Sequence, residues 1–108
     1  MTVIRTSLSG ELEQALKPII ELAKAHHVTR LEAFGSAVTG GLVEANDVDL
    51  LVTFESLPVR EHGHHYFGLK HDLEDLLNKP VDLLELNAVD NPYFLKCIEP
   101  ERVLLYAA

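Results

Sequence analysis

The chain has 108 residues, 47% of them hydrophobic and 24% charged, the composition of a globular domain with a real core rather than of a disordered segment. A net charge of −8 excludes general nucleic-acid binding, which needs a basic face to neutralise phosphates. No apolar run approaches the ~18 residues that span a bilayer, no basic-plus-apolar leader suggests export, and the single cysteine, Cys97, allows no intrachain disulfide, so a cytoplasmic setting is expected.

Residues about 9 to 26 read as a helix, with Leu12, Ala15, Leu16, Ile19, Ile20 and Ala23 recurring at helical spacing. Pro18 in a helix interior would cost ~3 kcal/mol, so a kink, or a main helix beginning near Lys17, is expected. Val28 to Phe34 reads as a strand that Gly35-Ser36 breaks; Thr39-Gly40-Gly41 and Ala45-Asn46 are loop material. Asp47 to Phe54 is a second strand, closed by Pro58. Residues about 61 to 78 form a second helix with one apolar stripe, Tyr66, Leu69, Leu73, Leu76 and Leu77, ended by Asn78-Lys79-Pro80. Val81 to Leu86 is a third strand. Asn91-Pro92 opens a short helix through about Ile98, since proline suits the first helical position. Val103 to Tyr106 is an apolar tail docked on the body.

This order predicts one α/β (α+β) domain over residues 1–108, a small mixed sheet of about three strands flanked by helices. The helix between the second and third strands favours parallel pairing of those two.

Two aspartates, Asp47 and Asp49, open the second strand inside the apolar run DVDLLV. Alternation along a strand puts both on one face. Carboxylates that close repel, and one pKa rises unless a cation sits between them. Oxygen ligands of this kind suit Mg²⁺ or Mn²⁺. The third strand begins with the same grammar, V-D-L-L, so Asp82 joins the pair if the two strands are parallel neighbours. Three carboxylates at one sheet edge make a two-metal site possible. Taken singly, Asp47 reads equally well as a solvated turn or cap residue, Asp49, deeper in the apolar run, less so, and Asp82, just after a proline turn, more so; the three together and Gly35-Ser36 carry the reading. Glycine permits close backbone approach, and the amides that follow can cradle a phosphate. An acidic protein can thereby take a metal-bound triphosphate.

With these residues assembled, the sequence resembles the polymerase-β-type nucleotidyltransferase superfamily, whose pattern is Gly-Ser, a glycine-containing loop, Asp-x-Asp and a later strand aspartate. Gly35, Ser36, Gly40, Asp47, Asp49 and Asp82 match those positions. The resemblance extends through HDLEDLLNKPVDLLEL to the Leu-Leu-Tyr ending and is closest to minimal nucleotidyltransferases (MNT), short domains that often serve as antitoxins to HEPN-type ribonuclease toxins. It implies that Asp47, Asp49 and Asp82 bind two Mg²⁺ ions, with Mn²⁺ a substitute. It implies that Gly35, Ser36 and Gly40 hold the phosphates of ATP, and that AMP passes to a tyrosine of the toxin.

The sequence departs from the pattern in two places. Many relatives carry basic residues in the loop, whereas no arginine or lysine occurs from Gly35 to Val52, and Asn46 stands where serine is common. The bare loop also suits a second reading, an antitoxin that neutralises its toxin by binding alone. Transfer to a small molecule such as an aminoglycoside is disfavoured, because no further domain remains to build its pocket. Of the six histidines, His62, His64, His65 and His71 cluster in the second helix; a transition-metal site is conceivable there, and a solvated helix start is the default. His26-His27 suits a helix end. Cys97 reads as a small packing residue, and Tyr93 and Tyr106 as packed rings with surface hydroxyls.

Overall fold

The computed structural model describes residues 10–35, 38 and 46–108. A short helix α1 (Gly10–Gln14) is followed, after a turn at Ala15, by α2 (Leu16–Ala25). Pro18 is the third residue of α2, where the backbone has no intrahelical acceptor to bond, so it interrupts nothing. Strand β1 (Val28–Phe34) runs antiparallel to β2 (Val48–Phe54). Helix α3 (Val59–Leu77) then crosses to β3 (Val81–Glu85), which lies parallel to β2. Asn78, in the left-handed conformation at φ 56°, ends α3. A 3-10 turn (Leu86–Ala88), helix α4 (Pro92–Ile98) and a second 3-10 turn (Glu99–Glu101) lead to β4 (Val103–Ala107). Asn91 caps α4 by accepting from the amides of Tyr93 and Phe94.

Among the described residues the sheet has four strands, in the order β3-β2-β1-β4. The apolar tail expected to dock on the body is the fourth: it pairs antiparallel with β1 and supplies Val103 and Leu105 to the core. Five residues of alternating burial are enough for an edge strand, but an apolar run that short has no period of its own to declare it.

The two sheet faces differ. One is covered by α2 and α3, packing Leu16, Ile19, Ala23, Leu69, Leu73 and Leu77 against Leu31, Leu50, Val52, Leu83 and Leu105. Leu76, expected on that stripe, is 38% exposed on the outer side of α3. The other face carries a smaller cluster: Phe34, Leu51 and Ile98, with Leu84, Phe94 and Leu95 against them. Phe34 and Phe94 meet edge to face at 5.9 Å. Among the described residues, α4 and the segment before it (Leu86 and Val89) pack on this side, and Cys97 on α4 is exposed rather than packed. Tyr93 is exposed, while Tyr106 packs on the larger core.

Candidate active site

Val48 and Leu50 of β2, and Val81 and Leu83 of β3, are buried in the larger core. Alternation therefore turns Asp49 and Asp82 to the opposite, thinly covered face. The parallel register pairs Asp49 with Asp82 across the two strands. That register is anchored at its start. The Val48 amide donates to the Pro80 carbonyl at 2.9 Å, and the Val81 amide donates to Glu74 Oε2 at 2.9 Å. Lys70 donates to the same Glu74 oxygen at 3.1 Å. One turn of α3 thus fixes where β3 begins and so where Asp82 stands.

Asp47 lies just before β2, in a bend, and is exposed. The strand starts one residue later than the sequence pattern suggests, yet Asp47 still acts on Asp49. Burial raises the Asp49 pKa above its ordinary value, and the negative charges of Asp47, Asp82 and Glu101 raise it further. Among the described residues, the charges that shift Asp49 are all negative. Clustered carboxylates are hard oxygen donors of the kind Mg²⁺ or Mn²⁺ takes. Among the described residues, no three side chains already enclose a common metal position. The donor set fits a divalent cation in charge and chemistry.

Gly35 ends β1, whose last residue, Phe34, pairs with Asp49. Its φ is +78°, a conformation that side-chain-bearing residues rarely adopt, and a Cβ built there would stand 2.5 Å from Asp49 Oδ2. The glycine of the Gly-Ser pair therefore makes room for the carboxylate as well as a turn. The Val38 amide closes that turn on the Gly35 carbonyl at 3.1 Å, and the Val38 side chain is buried in the core. Ser36 and Gly40 lie outside the described residues.

Reading the sequence for aspartates passed over a second charged group on this face. Glu32, in the middle of β1, is 4% exposed. Arg102 grips it with Nη2 on Oε1 at 2.7 Å and Nε on Oε2 at 3.1 Å, and Arg30 Nε donates to Oε1 at 3.2 Å. Burial alone would raise the Glu32 pKa, but the hydrogen bonds and charges of Arg102 and Arg30 outweigh it, and the net shift is downward. The pair ties the start of β4 to β1 and thereby places Glu101 near Asp49. An isolated glutamate inside the strand VTRLEAF was its only sequence signal.

The solvated helix start expected holds for His64 and His71, which are exposed, whereas His62 and His65 are half-buried and engaged. His26, at the end of α2, has its Nδ1 3.1 Å from His65 Nδ1 and donates from Nε2 to Asp72 Oδ2 at 2.9 Å. His27 and His64 lie edge to face with His65, at 4.7 and 5.3 Å. His62 bonds Glu85 at 2.6 Å. All of this lies on the helical side of the sheet, away from the aspartates.

Residues 17–108 match the family model described as "Polymerase beta, Nucleotidyltransferase". The chain is 34% identical over 82 residues to the "Putative protein adenylyltransferase MJ0128" of Methanocaldococcus jannaschii, covering 76% of this chain and 81% of that one. A solved structure described as a "putative minimal nucleotidyltransferase" superposes with a TM-score of 0.68 at 28% identity, over 85% of this chain and 90% of that one. The MNT antitoxin solved in complex with the tri-AMPylated HEPN toxin of Shewanella oneidensis superposes with a TM-score of 0.61 at 17% identity, over 89% and 72% of the two chains. The last likeness is one of fold.

Proposed function

Because the chain belongs to the polymerase β nucleotidyltransferase family and is a nucleotidyltransferase, we propose that it transfers AMP from ATP to a tyrosine hydroxyl of a HEPN-type toxin and so acts as that toxin's antitoxin. The observation that carries this reading is the in-register pair Asp49 and Asp82 beside Asp47, charged alike and turned to the open face. The relative named as a protein adenylyltransferase and the fold shared with an antitoxin bound to an AMPylated toxin support the choice of a protein acceptor.

In this reading Asp47, Asp49 and Asp82 hold two divalent cations, Mg²⁺ or Mn²⁺. When bound, the ions neutralise the triphosphate and polarise the attacking and leaving oxygens. Gly35, Ser36 and Gly40 present backbone amides and a hydroxyl to the β and γ phosphates. Asp82 takes the proton of the tyrosine hydroxyl. The freed oxygen attacks the α-phosphorus in line, an O–P bond forms, the bond to the bridging oxygen breaks, and pyrophosphate leaves. The protein contributes position and fixed charge. A cytoplasmic setting, where ATP is available and thiols stay reduced, goes with this activity.

A second reading has its own observation. The stretch from Gly35 to Val52 holds no arginine or lysine, and both Arg30 and Arg102 are engaged by Glu32. An antitoxin with no basic side chain in that stretch could silence its toxin by occlusion alone. The deciding experiment is intact mass. The chain and the product of its neighbouring reading frame are mixed with ATP and Mg²⁺, with Asp47→Asn/Asp49→Asn as control. The expected result is one or more AMP units on the neighbour, absent in the control. An unmodified neighbour that is nevertheless bound and inhibited would replace catalysis by occlusion.

A further inference from the structure

The joint between α2 and α3 carries a group that the nucleotidyltransferase site does not use. Asp72 Oδ2 can only accept, so the Nε2 of His26 carries the proton in this bond. In the neutral ring, Nδ1 then presents a lone pair, and it points at Nδ1 of His65, 3.1 Å away. The His26 side chain is 14% exposed, fixed on one side by Asp72 and on the other by Gly68. A Cβ at Gly68 would stand 2.9 Å from His26 Cε1, so the helix approaches the ring as closely as a glycine allows.

Two ring nitrogens bound to one tetrahedral ion, each at about 2.0–2.1 Å, stand about 3.3 Å apart. The observed 3.1 Å falls close to that separation. A carboxylate on the far nitrogen of a ligating histidine is the usual device for fixing its tautomer and orientation. From this geometry we infer a second metal site: His26 Nδ1 and His65 Nδ1 clamp a borderline-soft divalent cation of the Zn²⁺ or Ni²⁺ class, with Asp72 orienting His26. Imidazole donors select such ions, whereas the aspartate site takes hard ones.

The site is a two-point clamp. Among the described residues no three His, Cys, Asp or Glu side chains converge on one metal position, so water completes the coordination. Without an ion, the Nδ1–H of His65 donates to His26; on binding, that proton sits on Nε2 of the His65 ring instead, and the Nδ1 lone pair takes the metal. The clamp joins residues 39 apart in sequence across the α2–α3 contact. Its consequence is therefore structural, pinning two helices that cover the sheet.

The test uses the untagged Asp47→Asn/Asp49→Asn protein, so that the acidic site does not contribute. Zn²⁺ or Ni²⁺ is titrated by calorimetry and by thermal melting, with Mg²⁺ as comparison. The expected result is about one ion per chain and a rise in Tm on the order of 5 °C at saturation, with no such rise from Mg²⁺. His65→Gln, which keeps the side-chain volume, should abolish binding. Asp72→Asn keeps both ligands and should weaken it about 10–100-fold. Circular dichroism of each variant without metal separates loss of the site from loss of the fold. Absence of Zn²⁺ and Ni²⁺ binding in the parent would overturn the inference, as would unchanged binding in a folded His65→Gln. Either failure leaves the nucleotidyltransferase reading untouched, since no transfer activity is measured.

Discussion

Replacing Gly35 with alanine tests whether the glycine of the Gly-Ser pair exists to admit Asp49. At φ +78° an alanine pays for a left-handed conformation, about 1 kcal/mol. Its Cβ would also meet Asp49 Oδ2 at 2.5 Å, against an ordinary contact of about 3.5 Å. The carboxylate must therefore retreat by about 1 Å or leave its rotamer, which costs about another 1 kcal/mol. Together these predict a loss of about 2 kcal/mol, or roughly 8–15 °C in Tm for a domain near this size. Displacing a reacting group by about 1 Å costs on the order of 100-fold in rate. Chemical denaturation gives the first number, and the initial rate of AMP transfer to the partner gives the second. Gly63→Ala is the internal control. Nothing lies within 4 Å of a Cβ there, and in a helix interior alanine is favoured over glycine by about 1 kcal/mol, so that variant should gain stability and keep its rate. If Gly35→Ala melted like the parent and transferred AMP within threefold of it, the steric link between Gly35 and Asp49 would be refuted.

Asp49→Asn should abolish transfer yet raise Tm slightly without divalent cation at neutral pH, by less than about 0.5 kcal/mol once solvent screening of this part-exposed group is allowed for; scanning calorimetry with and without Mg²⁺ checks both signs. The folded pKa of Asp49 lies above its ordinary 3.8, so its contribution makes the metal-free protein more stable as pH falls through that raised value, and it levels off below 3.8. Glu32 has the opposite sign: its folded pKa lies below 4.5, so the stability it supplies is complete above 4.5 and disappears as pH falls through the folded value. Urea midpoints compared at several pH values for Asp49→Asn and Glu32→Gln would separate the two. Arg102→Ala leaves a 4%-exposed carboxylate with Arg30 as its remaining arginine and should cost about 2–3 kcal/mol, somewhat under the usual loss for a broken buried pair. Glu32→Leu/Arg102→Leu should cost distinctly less than Arg102→Ala, because no charge is left stranded; a double-mutant cycle measures the difference.

The elements and the candidate aspartates were legible in the sequence because their signals are local. Helical spacing, proline and glycine punctuation, and two copies of V-D-L-L mark α2, α3, β2 and β3 without knowledge of any neighbour. The strand–helix–strand order even favours a parallel β2 and β3. What lay beyond the sequence was everything that depends on which distant residues meet. The in-register pairing of Asp49 with Asp82 is set by contacts between Val48 and Pro80 and between Val81 and Glu74. The closing tail becomes a strand only because the exposed edge of β1 offers it hydrogen bonds. Glu32 is tolerable in a buried strand only because Arg102, 70 positions away, folds back onto it. His26 and His65 face each other only once α2 and α3 are packed on the sheet. Periodicity and turn chemistry act over a few residues and can be read from the chain; register, ion pairs and side-chain clamps act through space, and the packing of the two sheet faces decides them.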